Sequence, residues 1–303
     1  MEHVVNHLRK KNRNFRRNVS DVHIIKVKHY VTGNDALISL AGPANKQGRI
    51  IADNICGGDS RYLGSQGSSV IKVFDMTAAT TGINETNAKK SGLEVDTVIL
   101  SPMSHAGYYP GGKVMTMKVV FEKETYRLLG AQIIGYEGVD KRIDVLATVI
   151  HAGLKATQLK DLDLAYAPPY SSAKDPVNMA GFMIDNIAKG TLKQWHLEDM
   201  DKISRDKSVV LLDVRTVGEF NRGHMDGFKN IPVDELRERI NEIEKGKPVY
   251  LICQSGLRSY IASRILEGNG YETYNFSGGF RFYDAVVNDR ALIERAYACG
   301  MDY

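Results

Sequence analysis

The sequence has few cysteines, no long apolar run and almost no glycine-rich turn of the kind that binds dinucleotides. Its three cysteines, Cys56, Cys253 and Cys299, are odd in number and far apart, so they do not form a disulfide framework, which favours a reducing compartment such as the cytoplasm. No apolar run approaches the roughly 18 residues of a membrane span, and no apolar block follows the basic start as in a signal peptide. A lone Gly-x-Gly, at Gly268 and Gly270, lacks the third glycine of a dinucleotide-binding turn. These absences argue against secreted disulfide scaffolds, membrane proteins and a dinucleotide-binding domain.

The net charge of +4 is concentrated at one end of the chain. Residues 1–17 hold six Lys and Arg residues against Glu2, so the remainder is close to neutral. A basic arm can contact nucleic acid or anionic lipid, but a solvated terminus is the better prediction. His3 and His7 lie four residues apart without a visible third ligand. We therefore expect no nucleic-acid partner, no membrane partner and no metal.

Turn-rich segments divide the chain near residue 67 and again at residues 190–194. Between these points, strands that include a hairpin over residues 114–134 precede helices, which is typical of an α+β domain. The helix predicted at 175–188 has an apolar face made of Val177, Met179, Phe182, Met183 and Ile187.

Residues 194–290 alternate strands with helices, one of the helices being predicted at 234–244. This alternation predicts a small α/β domain with a parallel sheet, followed by a tail at 291–303. Within this domain the apolar strand 249–252 leads into a short loop that starts at Cys253 and ends at Arg258. Parallel sheets bind ligands at the carboxyl ends of their strands, which is where this loop lies.

The Cys253 segment has the features of a nucleophile seat. Gly256 permits a tight curl that turns successive N–H groups inward as in an anion-binding nest, and the helix that follows adds its positive dipole end. Together with the charge of Arg258 these features favour a thiolate, so Cys253 is predicted to be a reactive sulfur rather than a structural core cysteine. The predicted substrate-binding residues of the loop are Gln254, Ser255, Gly256, Leu257 and Ser259.

This unit resembles a single-domain rhodanese. Besides the loop, the matching segments are Leu212-Asp213-Val214-Arg215, Glu219-Phe220, Gly223-His224, Asn230-Ile231-Pro232 and Ser277-Gly278-Gly279-Phe280. The spacing is Cys-x4-Arg, which fits a sulfane sulfur, whereas the related phosphatases use a wider Cys-x5-Arg loop. The resemblance implies a sulfurtransferase in which Cys253, assisted by Arg258, becomes a persulfide. We interpret Asp213, Arg215 and Glu219 as a structural charge network.

The segment 40–49, Leu-Ala-Gly-Pro-Ala-Asn-Lys-Gln-Gly-Arg, resembles the flavin-contacting helix start of the coenzyme A-disulfide reductases. The resemblance implies FAD contacts at Ala41, Gly42 and Pro43, and at Asp21, where Ser20-Asp21 stands in place of the family's Gly-Asp pair. Residues 1–66 would then be a basic tail and the remnant of an FAD-binding domain, and the chain the carboxy-terminal portion of a longer flavoenzyme. Without a glycine-rich turn, we expect no tight binding of FAD and no reduction of disulfides by NADH.

Residues 67–189 resemble the dimerisation domain of the same flavoenzyme family. The segments 101–111 and 164–170 match two loops that reach across the dimer, and the resemblance assigns catalytic hydroxyls to Tyr108 and Tyr166. A phenol can donate a hydrogen bond to a departing thiolate. Tyr109 and Tyr170 are assigned to nearby packing.

Taken together, these patterns predict a rhodanese-type sulfurtransferase within a homodimeric relative of FAD- and NAD(P)H-dependent coenzyme A-disulfide or persulfide reductases. Its partners would be small thiols, persulfides or coenzyme A derivatives. A different class remains open, namely a catalytically silent dimerisation or scaffold fragment. The intact Cys253 loop argues that the third unit, residues 194–290, is catalytically active. The missing cofactor domains argue that residues 1–66 and 67–189 are catalytically silent.

Overall fold

The computed structural model describes residues 26–298, with side chains described through Val287 and at Asp289. The described chain contains a small amino-terminal hairpin and helix, an antiparallel sheet of five strands and a parallel sheet of five strands. The basic residues 1–17, Ser20, Asp21 and Cys299 lie outside the described residues.

The first unit has little core of its own. Strands β1 (Lys26–Lys28) and β2 (Asp35–Leu37) form an antiparallel pair, and helix α1 runs from Ala41 to Ile55. Helix α1 has no buried residue, and no side chain caps its start at Leu40. Pro43 lies in its first turn as predicted, because a proline there loses no hydrogen bond.

The second unit is built on the antiparallel sheet with strand order β3-β4-β7-β6-β5. Its strands are β3 (Ser69–Val73), β4 (Met76–Gly82), β5 (Val95–Leu100), β6 (Thr116–Glu122) and β7 (Leu128–Gly135). The predicted hairpin is the antiparallel β6–β7 pair, in which Met117 is opposite Ile133 and both side chains are buried. Cross-strand apolar pairs of this kind fix the register of a sheet.

Three helices accompany this sheet, namely α2 (Glu85–Lys90), α3 (Val139–His151) and α4 (Pro176–Ala188), with a 3₁₀ turn at Ala156–Asp161. The apolar face predicted for α4 is wrong at Phe182, which is 42% exposed. The face turned to the core instead contains Val177, Ala180, Gly181 and Ile184. Asn178 decides this orientation, because its buried amide donates to the carbonyls of Leu159 and Leu162 at 2.9 and 3.0 Å.

The third unit contains a parallel sheet with strand order β10-β9-β11-β12-β8, which confirms the predicted α/β class. Its strands are β8 (Gln194–Trp195), β9 (Val210–Asp213), β10 (Lys229–Asn230), β11 (Val249–Ile252) and β12 (Thr273–Phe276). Its helices are α5 (Met200–Ile203), α6 (Val217–Arg222), α7 (Leu257–Glu267) and α8 (Gly279–Ala298). Since α8 continues to Ala298, much of the predicted tail at 291–303 is helical.

The helix predicted at 234–244 is wrong. The segment forms turns and a short 3₁₀ helix, Ile240–Glu242. The hydroxyl of Tyr271 lies 3.2 Å from the carbonyl oxygen of Ile240 and 3.1 Å from that of Ile243. These carbonyls are therefore engaged by a tertiary contact instead of by the backbone N–H groups of an α-helix. Leu236 and Ile243 are still buried, which explains why their spacing suggested a helix.

The two sheets meet along strand β5. The N–H of Ile99 donates to the Ser277 hydroxyl at 3.1 Å, and the Gln194 amide donates to the Thr97 carbonyl at 3.2 Å. His196 and Asp96 are 3.2 Å apart at the same junction. These contacts join the edge of the antiparallel sheet to strands β8 and β12 of the parallel sheet.

Candidate active site

Cys253 follows β11 directly and is fully buried at the start of residues 253–258, named here the Cys253 loop. Its Sγ accepts a hydrogen bond from the N–H of Gly256 at 3.1 Å and lies 3.2 Å from the hydroxyl of Ser259. The Ser259 hydroxyl also lies 3.1 Å from the Gly256 carbonyl, so its single proton serves one acceptor or the other. One backbone N–H and one shared hydroxyl therefore lie at the sulfur, and hydrogen bonds donated to it favour negative charge on it.

Most backbone donors of the Cys253 loop are unoccupied. In the part of the chain that the structure describes, no acceptor is found for the N–H groups of Gln254, Ser255, Leu257 and Arg258. The loop residue Gly256 precedes α7 with a left-handed φ of 98° and offers no side-chain cap, so the positive end of that helix lies in the loop. The loop can therefore hold an anionic group beside Cys253.

The start of helix α8 is hydrogen-bonded to the first two residues of the Cys253 loop. The N–H of Phe280 donates to the Cys253 carbonyl at 2.8 Å, and the N–H of Arg281 donates to the Gln254 carbonyl at 3.2 Å. Gly279, at the start of α8, has φ +68°, and a Cβ at this position would lie 2.7 Å from the backbone of Gln254. The close approach of helix and loop thus depends on this glycine.

Arg258 is held by a carboxylate. Its two terminal nitrogens each donate to one oxygen of Glu219 at 2.7 Å. Glu219 also accepts from the N–H and hydroxyl of Thr216 at 3.0 and 2.9 Å, which completes a capping box at the start of α6. The hydrogen bond from Arg258 is the main cause that lowers the pKa of Glu219 to about 2. The positive charge of Arg258 is consequently balanced and its orientation fixed.

A buried ion pair lies beside the loop. Arg215 and Asp213 are both almost fully buried, and their side chains pair at 2.7 Å. The guanidinium also donates to the Gly223 carbonyl at 2.8 Å and lies 3.8 Å from the centre of the Phe280 ring. Among the described residues neither side chain contacts the Cys253 sulfur, and Glu219 pairs with Arg258 instead of with Arg215, so the single network predicted for Asp213, Arg215 and Glu219 consists of two separate ion pairs.

An open cleft of about 440 Å³ adjoins the Cys253 loop and is named here the loop cleft. It is lined by Arg215, Glu219, Arg222, Gly223, Gln254, Phe280, Arg281 and Asp284. Gln254 belongs both to this lining and to the Cys253 loop, whereas Cys253 itself is not part of the lining.

The two predicted tyrosines of the second unit meet. Their hydroxyl oxygens are 2.9 Å apart although Tyr108 and Tyr166 are 58 positions apart in the chain. The hydrogen bond with Tyr108 raises the pKa of Tyr166 above its ordinary value. Tyr109 packs edge-on against His105, but Tyr170 is 72% exposed and has no recorded ring contact in the described chain, so its predicted packing role is not found there.

A cavity of about 470 Å³ lies next to Tyr166, with Lys141 and Arg142 in its lining. Arg142 is 1% exposed and pairs with Asp175 at 2.9 Å. Its guanidinium also donates to the Ser104 carbonyl at 3.0 Å. Sequence patterns gave no sign of this buried ion pair, which fixes the loops that carry the two tyrosines.

Of the predicted FAD contacts, only those at the start of α1 lie among the described residues. Ala41, Gly42 and Pro43 open α1, whose start has no side-chain cap to occupy its first backbone N–H groups. Their contact with a flavin stays a prediction. Gly268 of the lone Gly-x-Gly caps the end of α7, so that segment does not supply a diphosphate-binding helix start. Asp21 lies outside the described residues. Among the residues described, no group of three His, Cys, Asp or Glu side chains could hold a metal ion.

Two protein-family models match the chain. Residues 68–176 match the pyridine nucleotide-disulphide oxidoreductase dimerisation domain, and residues 196–285 match the rhodanese-like domain. The chain is thus similar to an oxidoreductase dimerisation domain over the first of these segments and to a rhodanese-like domain over the second. In the described part of the chain, no helix has the length and hydropathy needed to cross a membrane.

Two solved structures and one enzyme illustrate what the chain is similar to. The structure of reduced CoADR-RHD from Bacillus anthracis is 46% identical, with a TM-score of 0.84 over 88% of this chain and 48% of the other. A NAD-dependent persulfide reductase from A. fulgidus is 40% identical, with a TM-score of 0.77 over 85% of this chain and 47% of the other. A coenzyme A disulfide reductase from Staphylococcus epidermidis is 35% identical over 56% of this chain and 40% of its own length. The chain therefore spans less than half of each of these relatives.

Proposed function

We propose that the third unit is a sulfurtransferase in which Cys253 carries a persulfide. The observation that carries this proposal is the donor arrangement around the sulfur. The Sγ atom of Cys253 accepts a hydrogen bond from the N–H of Gly256. Four further N–H groups of the Cys253 loop have no acceptor in the described chain. A terminal sulfur on Cys253 would add a negatively charged atom within reach of this nest.

The proposed reaction has two balanced steps. In the first, the Cys253 thiolate attacks the outer sulfur of a donor such as thiosulfate, so that a new S–S bond forms, the donor S–S bond breaks and sulfite leaves. In the second, an acceptor thiolate attacks the terminal sulfur, takes it as a new persulfide and returns Cys253 as a thiolate. No external oxidant, reductant or proton is consumed, since the first step moves one sulfur from sulfite to the Cys253 thiolate and the second moves it on to the acceptor thiolate.

Arg258 positions the loop in this scheme rather than acting as a free cation. Its guanidinium is held by both oxygens of Glu219, which anchors the start of α7 to the start of α6. The anionic persulfide would be stabilised chiefly by backbone donors, with Arg258 contributing through the electrostatic field.

The test is an intact-mass measurement after incubation with thiosulfate. We expect wild-type protein to gain the mass of one sulfur atom, with the label on Cys253 by peptide mapping. The Cys253→Ser variant should gain nothing, whereas Cys56→Ser, which removes an exposed cysteine, should be labelled like wild type. Labelling that survives in Cys253→Ser would contradict the mechanism, and an unlabelled wild type would favour the catalytically silent alternative.

We also propose a role for the second unit as a homodimer whose tyrosine pair serves disulfide reduction. The paired hydroxyls of Tyr108 and Tyr166 could donate a hydrogen bond to a departing thiolate, with the cavity beside them accepting a disulfide or persulfide substrate. Exposed apolar side chains on β3 and α4 support an interface in this unit, among them Ile71 at 61% and Phe182 at 42%. The relatives' names suggest coenzyme A derivatives as substrates.

We propose the unit boundaries 1–66, 67–189, 194–290 and 291–303, with α8 crossing the last of them. The start of α1 could contact only one end of FAD, so we propose no flavin chemistry for the described residues. The free thiol that sulfur transfer requires suits a reducing cytoplasm, which is where we place the chain.

A further inference from the structure

We propose that Asn275 is a positioning residue for the sulfur chemistry, because it directs the hydroxyl of Ser259 to the sulfur of Cys253. The inference rests on the proposed sulfurtransferase function and assigns a role to a residue outside the Cys253 loop. Asn275 lies on β12, which pairs with the strand that leads into Cys253.

The hydroxyl of Ser259 has two acceptors at hydrogen-bond distance. Its oxygen lies 3.2 Å from the Sγ of Cys253 and 3.1 Å from the carbonyl oxygen of Gly256, and a hydroxyl carries one proton. A bond donated to the sulfur stabilises a thiolate, in addition to the bond from the N–H of Gly256. The acceptor that Ser259 uses therefore affects the reactivity of Cys253.

The carbonyl of Gly256 already has two other donors. The N–H of Tyr260 donates to it at 3.1 Å in the first turn of α7, and the side-chain amide of Asn275 donates to it at 3.1 Å. A carbonyl oxygen has two lone pairs, so these two bonds fill its capacity. The proton of Ser259 is consequently left for the sulfur of Cys253.

The parallel sheet fixes the position of Asn275. Its backbone is paired with Leu251 of β11, and its N–H donates to the carbonyl of Lys193 at 2.9 Å. Asn275 is 3% exposed, and its Oδ1 has no hydrogen-bond partner among the described residues. A leucine of similar size would leave no oxygen unpaired there, so packing does not explain the amide, whereas its bond to Gly256 does.

Several elements around the loop carry charged groups, namely Asp213 and Arg215 at the end of β9, Glu219 on α6, Arg258 on α7 and Arg281 on α8. Among the described residues, none of the hydrogen bonds of Asn275 or Ser259 involves these side chains. Substitutions at the two positions therefore leave the charges in place, and a changed pH profile reports on the sulfur.

The experiment measures the rate of persulfide formation with thiosulfate by intact mass, at about pH 6 and at about pH 9. Asn275→Leu and Ser259→Ala should each react roughly fivefold more slowly than wild type at the lower pH, which is about the effect of one hydrogen bond. At the higher pH the difference should shrink, because the thiol then loses its proton in every variant. The double variant should be no slower than either single variant, since both changes remove the same bond.

Asn230→Leu is the matched control. The amide of Asn230, in the same unit, also donates to backbone carbonyls, those of Asp213 and Arg215, at 2.9 Å. This variant should keep the wild-type ratio of the rates at the two pH values. Asn275→Ala, which removes the amide without adding bulk, should behave as Asn275→Leu does, and Trp195 emission checks that each variant is folded.

Two results would overturn the inference alone. One is a wild-type ratio of the two rates in Ser259→Ala or in both Asn275 variants. The other is a slowing in the Asn275 variants that is equal at both pH values, or that adds to the slowing in Ser259→Ala, as a general distortion of the loop would produce. Failure of wild type to form the persulfide would overturn the proposed function, and this inference with it.

Discussion

Substitution of Gly279 by alanine tests the contact that holds α8 against the Cys253 loop. Gly279 has φ +68°, and a Cβ there would lie 2.7 Å from the carbonyl carbon and oxygen of Gln254 and from the nitrogen of Ser255. These are backbone atoms, which cannot rotate away as the end of a flexible side chain can. The start of α8 must therefore move away from the loop, which weakens the bond from the Phe280 N–H to the Cys253 carbonyl.

The expected cost has two parts. Placing a residue with a Cβ in the left-handed region costs roughly 1–2 kcal/mol, and overpacking against fixed atoms adds about 1–3 kcal/mol. Gly279→Ala should thus lower the free energy of unfolding of the third unit by roughly 2–5 kcal/mol. Gly246→Ala isolates the first part, since Gly246 has φ +82° and no atom lies within 4 Å of the point that a Cβ would occupy.

The assay is urea unfolding followed by the emission of Trp195. This residue is the chain's single tryptophan, is 2% exposed and packs 4.4 Å from the Phe276 ring centre in the third unit, so it reports on that unit alone. We expect Gly279→Ala to be less stable than Gly246→Ala by about 1–3 kcal/mol and to form the Cys253 persulfide more slowly. Equal stabilities of the two variants would refute the reasoning, because the contact with the loop would then carry no cost.

Three further predictions concern charge, assembly and the tyrosine pair. The pKa of Glu219 is lowered from 4.5 to about 2, so its carboxylate stabilises the fold fully above about pH 4.5 and loses this effect as the pH falls toward 2. The free energy of unfolding, followed by Trp195 emission, should fall more over this pH range in wild type than in Glu219→Gln. Parallel curves of unfolding free energy against pH for the two proteins would show that the ion pair does not stabilise the fold. Phe182→Glu should convert a homodimer into monomers, as measured by light scattering, because it replaces an exposed apolar side chain of α4 with a charged one. An unchanged molecular mass would show that the interface lies elsewhere. Tyr108→Phe should lower the pKa of Tyr166 in an ultraviolet pH titration, since the hydrogen bond between the two hydroxyls is the main cause that raises it, and an unaltered titration would show that the hydroxyls do not pair.

Features that depend on neighbouring residues could be predicted from the sequence. The apolar run that becomes β11 leads into Cys253 as expected, and Asn84 caps α2 by accepting the N–H of Asn87 at 2.8 Å. The hairpin β6–β7 also follows from alternating side chains and a short turn. Such signals are local, because a strand, a cap or a tight turn is stabilised by contacts within a few residues.

The orientation of α4 could not be predicted in the same way. Its sequence is apolar on more than one side, and hydrophobic spacing alone favoured a face that includes Phe182. The buried amide of Asn178, bonded to two carbonyls of the preceding 3₁₀ turn, selects another face. Periodicity ignores such a polar anchor, although leaving it unpaired in the core would cost about 1–3 kcal/mol.

The sequence by itself determined the reactive element of this protein, since the run from β11 through Cys253 to Arg258 fixes a cysteine, a curled loop and a helix start within a few consecutive residues. Only the tertiary structure decided what surrounds that element. It pairs Arg258 with Glu219 across 39 positions and leaves Arg222 and Arg281 facing the same cleft. The physical reason is that charge pairing depends on distances in space, and these are set by how strands and helices pack rather than by spacing along the chain.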